Sequence, residues 1–312
     1  MKSKILLIGT NGQIGRELNK MLPRVGDVTA LDRSQLDLSK PEEIRNAIRS
    51  VRPQWIVNAA AYTAVDKAES EPSVARAING EAPAVMAAEA KKSGAFLIHY
   101  STDYVFDGLK TSPYEEKDPT NPQNVYGKTK LEGEQAIQAS LAPHLIIRTA
   151  WVYATTGKNF LLTMLRLATQ REELRVVSDQ VGSPILSGEI AKATTEILSQ
   201  LKALYSVDYS IAETGGIYHM TAAGETSWAG FAKAILEEAA SIAPDTPWFA
   251  EATGKLPLIA SRVVPIRTSE YPTPARRPAY SVLSNERLFQ TFSVRLPSWR
   301  SQLHSAFTTP QS

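Results

Sequence analysis

No cysteine occurs among the 312 residues, which excludes disulfides, thiol catalysis and cysteine-ligated metal and fits a reducing compartment. Histidine is scarce too. The four present, His99, His144, His219 and His304, stand without ligand spacing, against a zinc site. No apolar run approaches the roughly 18 residues of a membrane-spanning helix. The run Ile5-Leu6-Leu7-Ile8 is too short for a signal-peptide core and stops at a glycine turn. Neither sign of charge is in excess: 34 Lys and Arg are interleaved with 32 Asp and Glu, leaving no basic stripe for nucleic acid. These absences predict a soluble, cytoplasmic protein with neither nucleic-acid nor membrane partners.

What is present is the composition of a globular protein, 43% hydrophobic and 21% charged, so wholesale disorder is not expected. The length suits one large domain or two sharing a core. Short apolar runs at 4–8, 28–31, 55–58, 96–100 and 145–148 alternate with amphipathic stretches at 14–22, 41–51, 74–93 and 125–138. Continuous apolar strands alternating with helices predict an α/β fold, a doubly wound parallel sheet of Rossmann-like type covered on both faces. Pro41 followed by Glu42 and Glu43 marks the start of a helix, where proline fits the first turn and carboxylates suit the dipole.

Past about residue 150 the rhythm loosens. Helical patterns persist at 160–170, 187–201 and 227–240, separated by segments rich in Gly, Pro and Thr. The prolines of 271–278 rule out a regular helix or central strand there. Residues 1–150 are therefore read as a dinucleotide-binding domain and 151–312 as mainly a smaller substrate-binding lobe, with later segments returning to the first domain.

Gly9-Thr10-Asn11-Gly12-Gln13-Ile14-Gly15 joins the first strand to the first helix. Glycines permit a tight turn and close approach of backbone N–H groups to a pyrophosphate, while the helix N-terminus adds partial positive charge. The spacing is G-x-x-G-x-x-G rather than the commoner G-x-G-x-x-G, so the context of strand and helix carries the reading. Asp32 ends the next strand, where an acid holds an adenosine ribose, and Arg33 beside it suits a 2′-phosphate. The pair leaves NADH against NADPH open, with NADPH favoured and NADH tolerated.

Tyr126 and Lys130 are four residues apart and share one helix face. A nearby cation lowers a tyrosine pKa by roughly 1–3 units, which lets the phenol give a proton to a carbonyl while hydride reaches carbon. The fourth strand runs into Ser101-Thr102-Asp103, at the sheet edge where ligands bind in open α/β folds. Ser101 or Thr102 can share the carbonyl oxygen with Tyr126; the plainer reading of the triplet is a turn and helix cap.

Four motifs together resemble the extended short-chain dehydrogenase/reductases: Gly9-x-x-Gly12-x-x-Gly15, Asn58-Ala59-Ala60-Ala61, the segment Tyr100 to Phe106, and the segment Asn124 to Lys130. Three more, Thr63 to Glu69, Arg148 to Tyr153 and Pro272 to Pro278, are similar to the dTDP-4-dehydrorhamnose reductase family within that group. The resemblance implies reduction of the C4 ketone of a dTDP-linked keto-sugar, the last step towards dTDP-rhamnose, a precursor of bacterial surface polysaccharide such as O-antigen. It implies Thr102, Tyr126 and Lys130 as the catalytic trio. The cofactor would be lined by the glycine turn with Thr10, Asn11, Gln13 and Ile14, by Asp32, Arg33, Asp37 and Leu38, by Ala59, Ala60 and Ala61, and by Tyr100. Thr63, Val65, Asp103, Tyr104 and Trp151 would meet the sugar, Arg276 and Arg277 its diphosphate, and Gln180 and Gly182 would form a substrate loop.

Some members of the family have a magnesium-bridged dimer contact. Glu17 and Glu189 fall near matching positions without a third carboxylate, so no metal is assigned, and the expected state is monomer or homodimer. Two rival readings use the same scaffold: a catalytically silent relative that regulates a partner enzyme, and a sugar-nucleotide epimerase or dehydratase that keeps its nicotinamide bound.

Overall fold

Five runs form the strands β1 (Lys4–Ile8), β2 (Asp27–Leu31), β3 (Trp55–Asn58), β4 (Phe96–Thr102) and β5 (His144–Thr149), all of them largely buried except β2 at the sheet edge. The computed structural model describes residues 3–205 and 214–308. Gly216–His219 returns from the second half of the chain to complete a six-stranded sheet in the order Gly216–His219, β5, β4, β3, β1, β2. All neighbours in it are parallel.

Side chains alternate across the sheet, and each face has its own core. Ile5, Leu7, Val57, Ile98 and Ile147 pack into one cluster, and Leu6, Ile8, Ile56, Leu97 and Ile146 into the other. That alternation is why every residue of β3 and β4 is buried and why the strands read as unbroken apolar runs. The helices Gln13–Met21 and Ser187–Tyr205 pack against each other beside the first cluster, so the later half of the chain covers one face of the earlier half's sheet.

The chain leaves β1 for β2 on one side, then returns past β1 to β3 on the other. The connections after β1 and β3 diverge at this reversal and open a crevice at the carboxyl edge. Gly9 and Ala59, the first residues beyond each strand, sit at its floor.

The segment expected as one helix over 74–93 is broken. It runs as Pro72–Arg76, a π-helical turn Ala77–Glu81, and Ala82–Ser93. Pro83 has no N–H for the Asn79 carbonyl four residues back, and its ring crowds that carbonyl, so an extra residue is accommodated. The Asn79 side chain ties down the bulge: it accepts from Tyr62 N (2.9 Å) and donates to Tyr62 O (3.1 Å) and Thr129 Oγ1 (3.3 Å). In the second half, Glu173–Val177 pairs with Arg262–Ile266, and residues 271–278 are irregular.

Candidate active site

A cavity of about 690 Å³ follows the carboxyl edge of the sheet, from the glycine turn to the start of the helix Val125–Ser140. At one end the turn after β1 is shaped by what glycine permits. Gly9 has φ +93°, and a Cβ there would lie 2.6 Å from Ala60 N; a Cβ on Gly15 would lie 2.1 Å from Gly9 O. Only glycine fits at these two positions, and the missing Cβ atoms let the backbone of the turn come close to a phosphate. The helix Gln13–Met21 has no side-chain cap and no acid in its first turn, so its N-terminal N–H groups and dipole are available to an anion.

Asp32 lies beside the turn. Its carboxylate accepts from Ser34 N (2.8 Å), Ser34 Oγ (2.6 Å) and Asn11 Nδ2 (3.0 Å). Those bonds, the Ser34 side chain first, hold its pKa below the ordinary value. Asp32 therefore stays an anionic acceptor. Arg33, Asp37 and Leu38 complete this end.

At the other end Thr102 closes β4 and Tyr126 and Lys130 open the helix opposite. Asn124 caps that helix by accepting from Gly127 N at 2.8 Å. The fit is close: a Cβ on Gly127 would lie 2.2 Å from Tyr104 O. Against the lowering expected from Lys130, burial pushes the Tyr126 phenol above its usual range, and a hydrogen bond with Thr102 opposes part of that shift. Thr102 Oγ1 donates to Asp103 Oδ1 at 2.9 Å, and burial raises the Asp103 carboxyl to about 6. The Tyr104 ring meets Tyr126 edge-on, centroids 5.5 Å apart. Lys130 is 1% exposed, and burial lowers its ammonium to about 8.

Ser101 Oγ, Thr149 Oγ1 and Gln13 Oε1 are buried on the cavity wall without a protein partner. Groups of this kind are ordinarily satisfied by ligand or water, and together with the glycine cradle they fit a dinucleotide carrying an amide and ribose hydroxyls.

The cavity also gathers Ala59, Ala60, Ala61, Tyr100, Thr63, Val65, Tyr104, Trp151 and Arg277. Tyr100 contributes its backbone side, since its hydroxyl turns away to Thr194 Oγ1 at 2.6 Å. Arg277 Nη2 donates to Asp66 Oδ2 (2.7 Å) and Nη1 to Tyr104 OH (2.9 Å). Five candidates lie off the wall: Thr10, Gly15, Gln180, Gly182 and Arg276. Gly15 acts within the turn. Gln180 Nε2 is bound to Thr268 Oγ1 at 3.1 Å. Gly182 packs against Trp151, where a Cβ would lie 2.5 Å from the indole Cε2. Arg276 is exposed and meets the site only through its carbonyl, which accepts from Asn124 Nδ2 at 2.8 Å. Unforeseen members include Arg16, Tyr62, Thr149, the loop Thr156, Gly157 and Lys158, and Trp228. Tyr62 sits next to the Ala59–Ala61 run and Thr149 ends β5, so position after a strand was their available signal; Trp228 had none. Among the described residues no group of three or more His, Asp or Glu is arranged to hold a metal.

A parallel sheet with a glycine turn at its switch point, and a Thr-Tyr-Lys set across the same crevice, defines a nicotinamide-dependent oxidoreductase of the short-chain dehydrogenase/reductase class. Residues 3–311 match the family model described as RmlD substrate binding domain. The chain belongs to this family. It is 50% identical over 297 residues to the dTDP-4-dehydrorhamnose reductase of Burkholderia thailandensis, covering 95% of each. To that of Escherichia coli K12 it is 43% identical over 313 residues, covering 98% of each. The crystal structure of dTDP-4-dehydrorhamnose reductase from Bacillus anthracis, in complex with NADP, superposes with a TM-score of 0.84 at 32% identity, over 98% of this chain and 99% of that one.

Proposed function

We propose that the protein reduces the C4 ketone of dTDP-4-dehydro-L-rhamnose to dTDP-L-rhamnose with NADPH, NADH being accepted, in the cytoplasm as a monomer or homodimer. The observation that carries this reading is the shared cavity: buried Thr102 and Lys130 and half-buried Tyr126 face the same space as the glycine turn. The family relationship supports the sugar, and the NADP-bound relative supports the cofactor.

The helix N-terminus at Gly12, Gln13 and Ile14 would hold the pyrophosphate, Asp32 the adenosine ribose and Arg33 a 2′-phosphate. A bound reduced nicotinamide supplies the hydride. Tyr126 gives the proton to the ketone oxygen; its raised pKa keeps it a phenol, the form a general acid needs. Thr102, on turning its hydroxyl hydrogen from Asp103 to the ketone, would hydrogen-bond the same oxygen and orient it. Lys130 binds the nicotinamide ribose and, when protonated, steadies the phenolate left behind. Thr63, Val65, Tyr104 and Trp151 would face the sugar, and Arg277 its diphosphate, through guanidinium bonds to phosphate oxygens.

The test mixes the protein with NADPH and enzymatically generated dTDP-4-dehydro-L-rhamnose and follows the reduced-nicotinamide absorbance. Stoichiometric loss with dTDP-L-rhamnose as product is expected. NADPH binding without oxidation would remove the assignment of this sugar, and product formed without net NADPH loss would point to an epimerase.

A further inference from the structure

His99 belongs to no motif in the sequence, yet it stands directly behind Lys130. It is 1% exposed, on β4 between the Lys130 ammonium and Asn58 at the end of β3. Its Nε2 lies 3.2 Å from Lys130 Nζ and its Nδ1 lies 3.0 Å from Asn58 Nδ2. Neutral imidazole has one donor and one acceptor nitrogen, so only one of these contacts can be accepted by the ring.

Asn58 decides which. Its Oδ1 accepts from Ala60 N at 3.1 Å. Reversing the amide would set its NH2 against that backbone N–H and leave both groups without acceptors in a buried place. The Asn58 NH2 therefore points at His99, Nδ1 accepts, and the ring proton lies on Nε2, facing Lys130. The lysine in turn donates to the Tyr100 carbonyl at 2.6 Å. With Lys130 as the free amine the four bonds run in one direction, from the cofactor-loop amide of Ala60 through Asn58 and His99 to Lys130, and on to β4; with Lys130 charged, the third contact sets donor against donor.

We infer that His99 is a positioning residue for Lys130: its Nε2–H faces the lysine nitrogen, opposes the ammonium form, is accepted once the lysine is the free amine, and turns the lysine's own donors towards the cofactor ribose. This deepens, and rests on, the role assigned to Lys130 above. The remaining charges around the lysine act against His99 or are already engaged. Glu134, four residues along the same helix, favours the ammonium, but is held by Arg148 of β5 at 2.7 Å. Tyr126, one turn earlier on the same helix, is a phenol. His99 itself stays neutral because burial, and then the charge of Lys130, hold its pKa well below the usual value.

The test needs neither sugar nor cofactor, so it can fail while the reductase assignment stands, or survive if that assignment falls. Long-range proton–nitrogen NMR of the full chain reads the His99 tautomer, with signals assigned by comparison with His99→Phe. An Nε2–H ring with unprotonated Nδ1 is expected, and an Nδ1–H ring or an imidazolium at neutral pH overturns the inference. In Asn58→Asp a carboxylate still accepts from Ala60 but now also accepts from Nδ1–H. The tautomer is expected to reverse, and the Lys130 titration, read at its Cε carbon, to move upward. Adding His99→Phe to Asn58→Asp should abolish that upward movement. Its persistence would mean that the new carboxylate acts on Lys130 directly and that His99 does not. The wild-type tautomer decides the matter alone if a variant does not fold.

Discussion

The indole of Trp151 lies flat on that of Trp228, with ring centroids 3.4 Å apart and planes 4° from parallel. Trp151 is held at φ +49°, a left-handed backbone state that costs a bulky residue about 1–3 kcal/mol and that surrounding contacts must hold in place. Trp228 and Gly182 supply those contacts. An aromatic pair is worth about 0.5–1.5 kcal/mol, so Trp228→Ala is expected to raise KM for the sugar nucleotide by about 2- to 10-fold with a smaller change in kcat. Initial-rate kinetics check this; a fall in kcat at unchanged KM would assign the pair to the chemical step instead.

Tyr126→Phe removes one oxygen and keeps the ring that packs on Tyr104. Reduction is expected to slow by about 10²- to 10⁴-fold, while NADPH affinity stays within a few-fold. Steady-state rates with fluorescence titration of the cofactor separate the two effects, and near-normal turnover would exclude Tyr126 as the acid.

Gly9→Ala meets two obstacles, φ +93° and a Cβ position 2.6 Å from Ala60 N. The variant is expected to lose about 1–3 kcal/mol of stability and to bind NADPH more weakly, because the turn must shift away from the phosphate. Thermal melts with and without NADPH measure both; an unchanged ligand-induced rise in Tm would contradict the second.

Arg33 tests cofactor choice. If it holds a 2′-phosphate, Arg33→Ala weakens NADPH by roughly 10- to 100-fold, the loss of a charge-assisted bond of about 1.5–3 kcal/mol, and leaves NADH nearly unaffected. Equal losses for the two cofactors would assign Arg33 to something they share.

Lys130 makes stability depend on pH in a definite sense. Its folded pKa, about 8, lies below the ordinary 10.5, so between those values the unfolded chain binds more protons than the folded one. Stability from this group therefore rises with pH across that window, and below about pH 8 the buried charge costs its full amount, about 3 kcal/mol. Lys130→Met is expected to melt higher than the wild type near neutral pH by about 1–3 kcal/mol, allowing for the Tyr100 carbonyl losing a donor. The advantage should shrink towards pH 10.5. Denaturant titrations at several pH values check it, and a pH-independent difference would refute this origin. The same variant should be inactive, an instance of function opposing stability.

The inner strands of the sheet were legible because they are buried on both sides, and two-sided burial writes itself as continuous apolar runs such as 4–8 and 55–58. The edge piece Gly216–His219, four residues long, carried too little pattern to be read. The π-helical turn was missed because Pro83 looks harmless in a list of helix formers; its effect falls on a carbonyl four residues earlier. Tyr126 and Lys130 stood out because helical spacing is a local property. The approach of His99 to Lys130 and of Trp228 to Trp151 comes from packing between distant segments, and no local spacing encodes it.

The bond between Arg277 and Asp66 joins residues 211 positions apart in the chain, and Arg277 walls the same cavity as Tyr126. A ribosome makes the two ends of that bond at well-separated times. The glycine turn, β1 to β5 and the Tyr126 helix all emerge while one wall of the crevice is still unmade. A nascent chain that stops before Arg277 still leaves Tyr126 open on that side, so the enclosure of the crevice is among the last things synthesis completes.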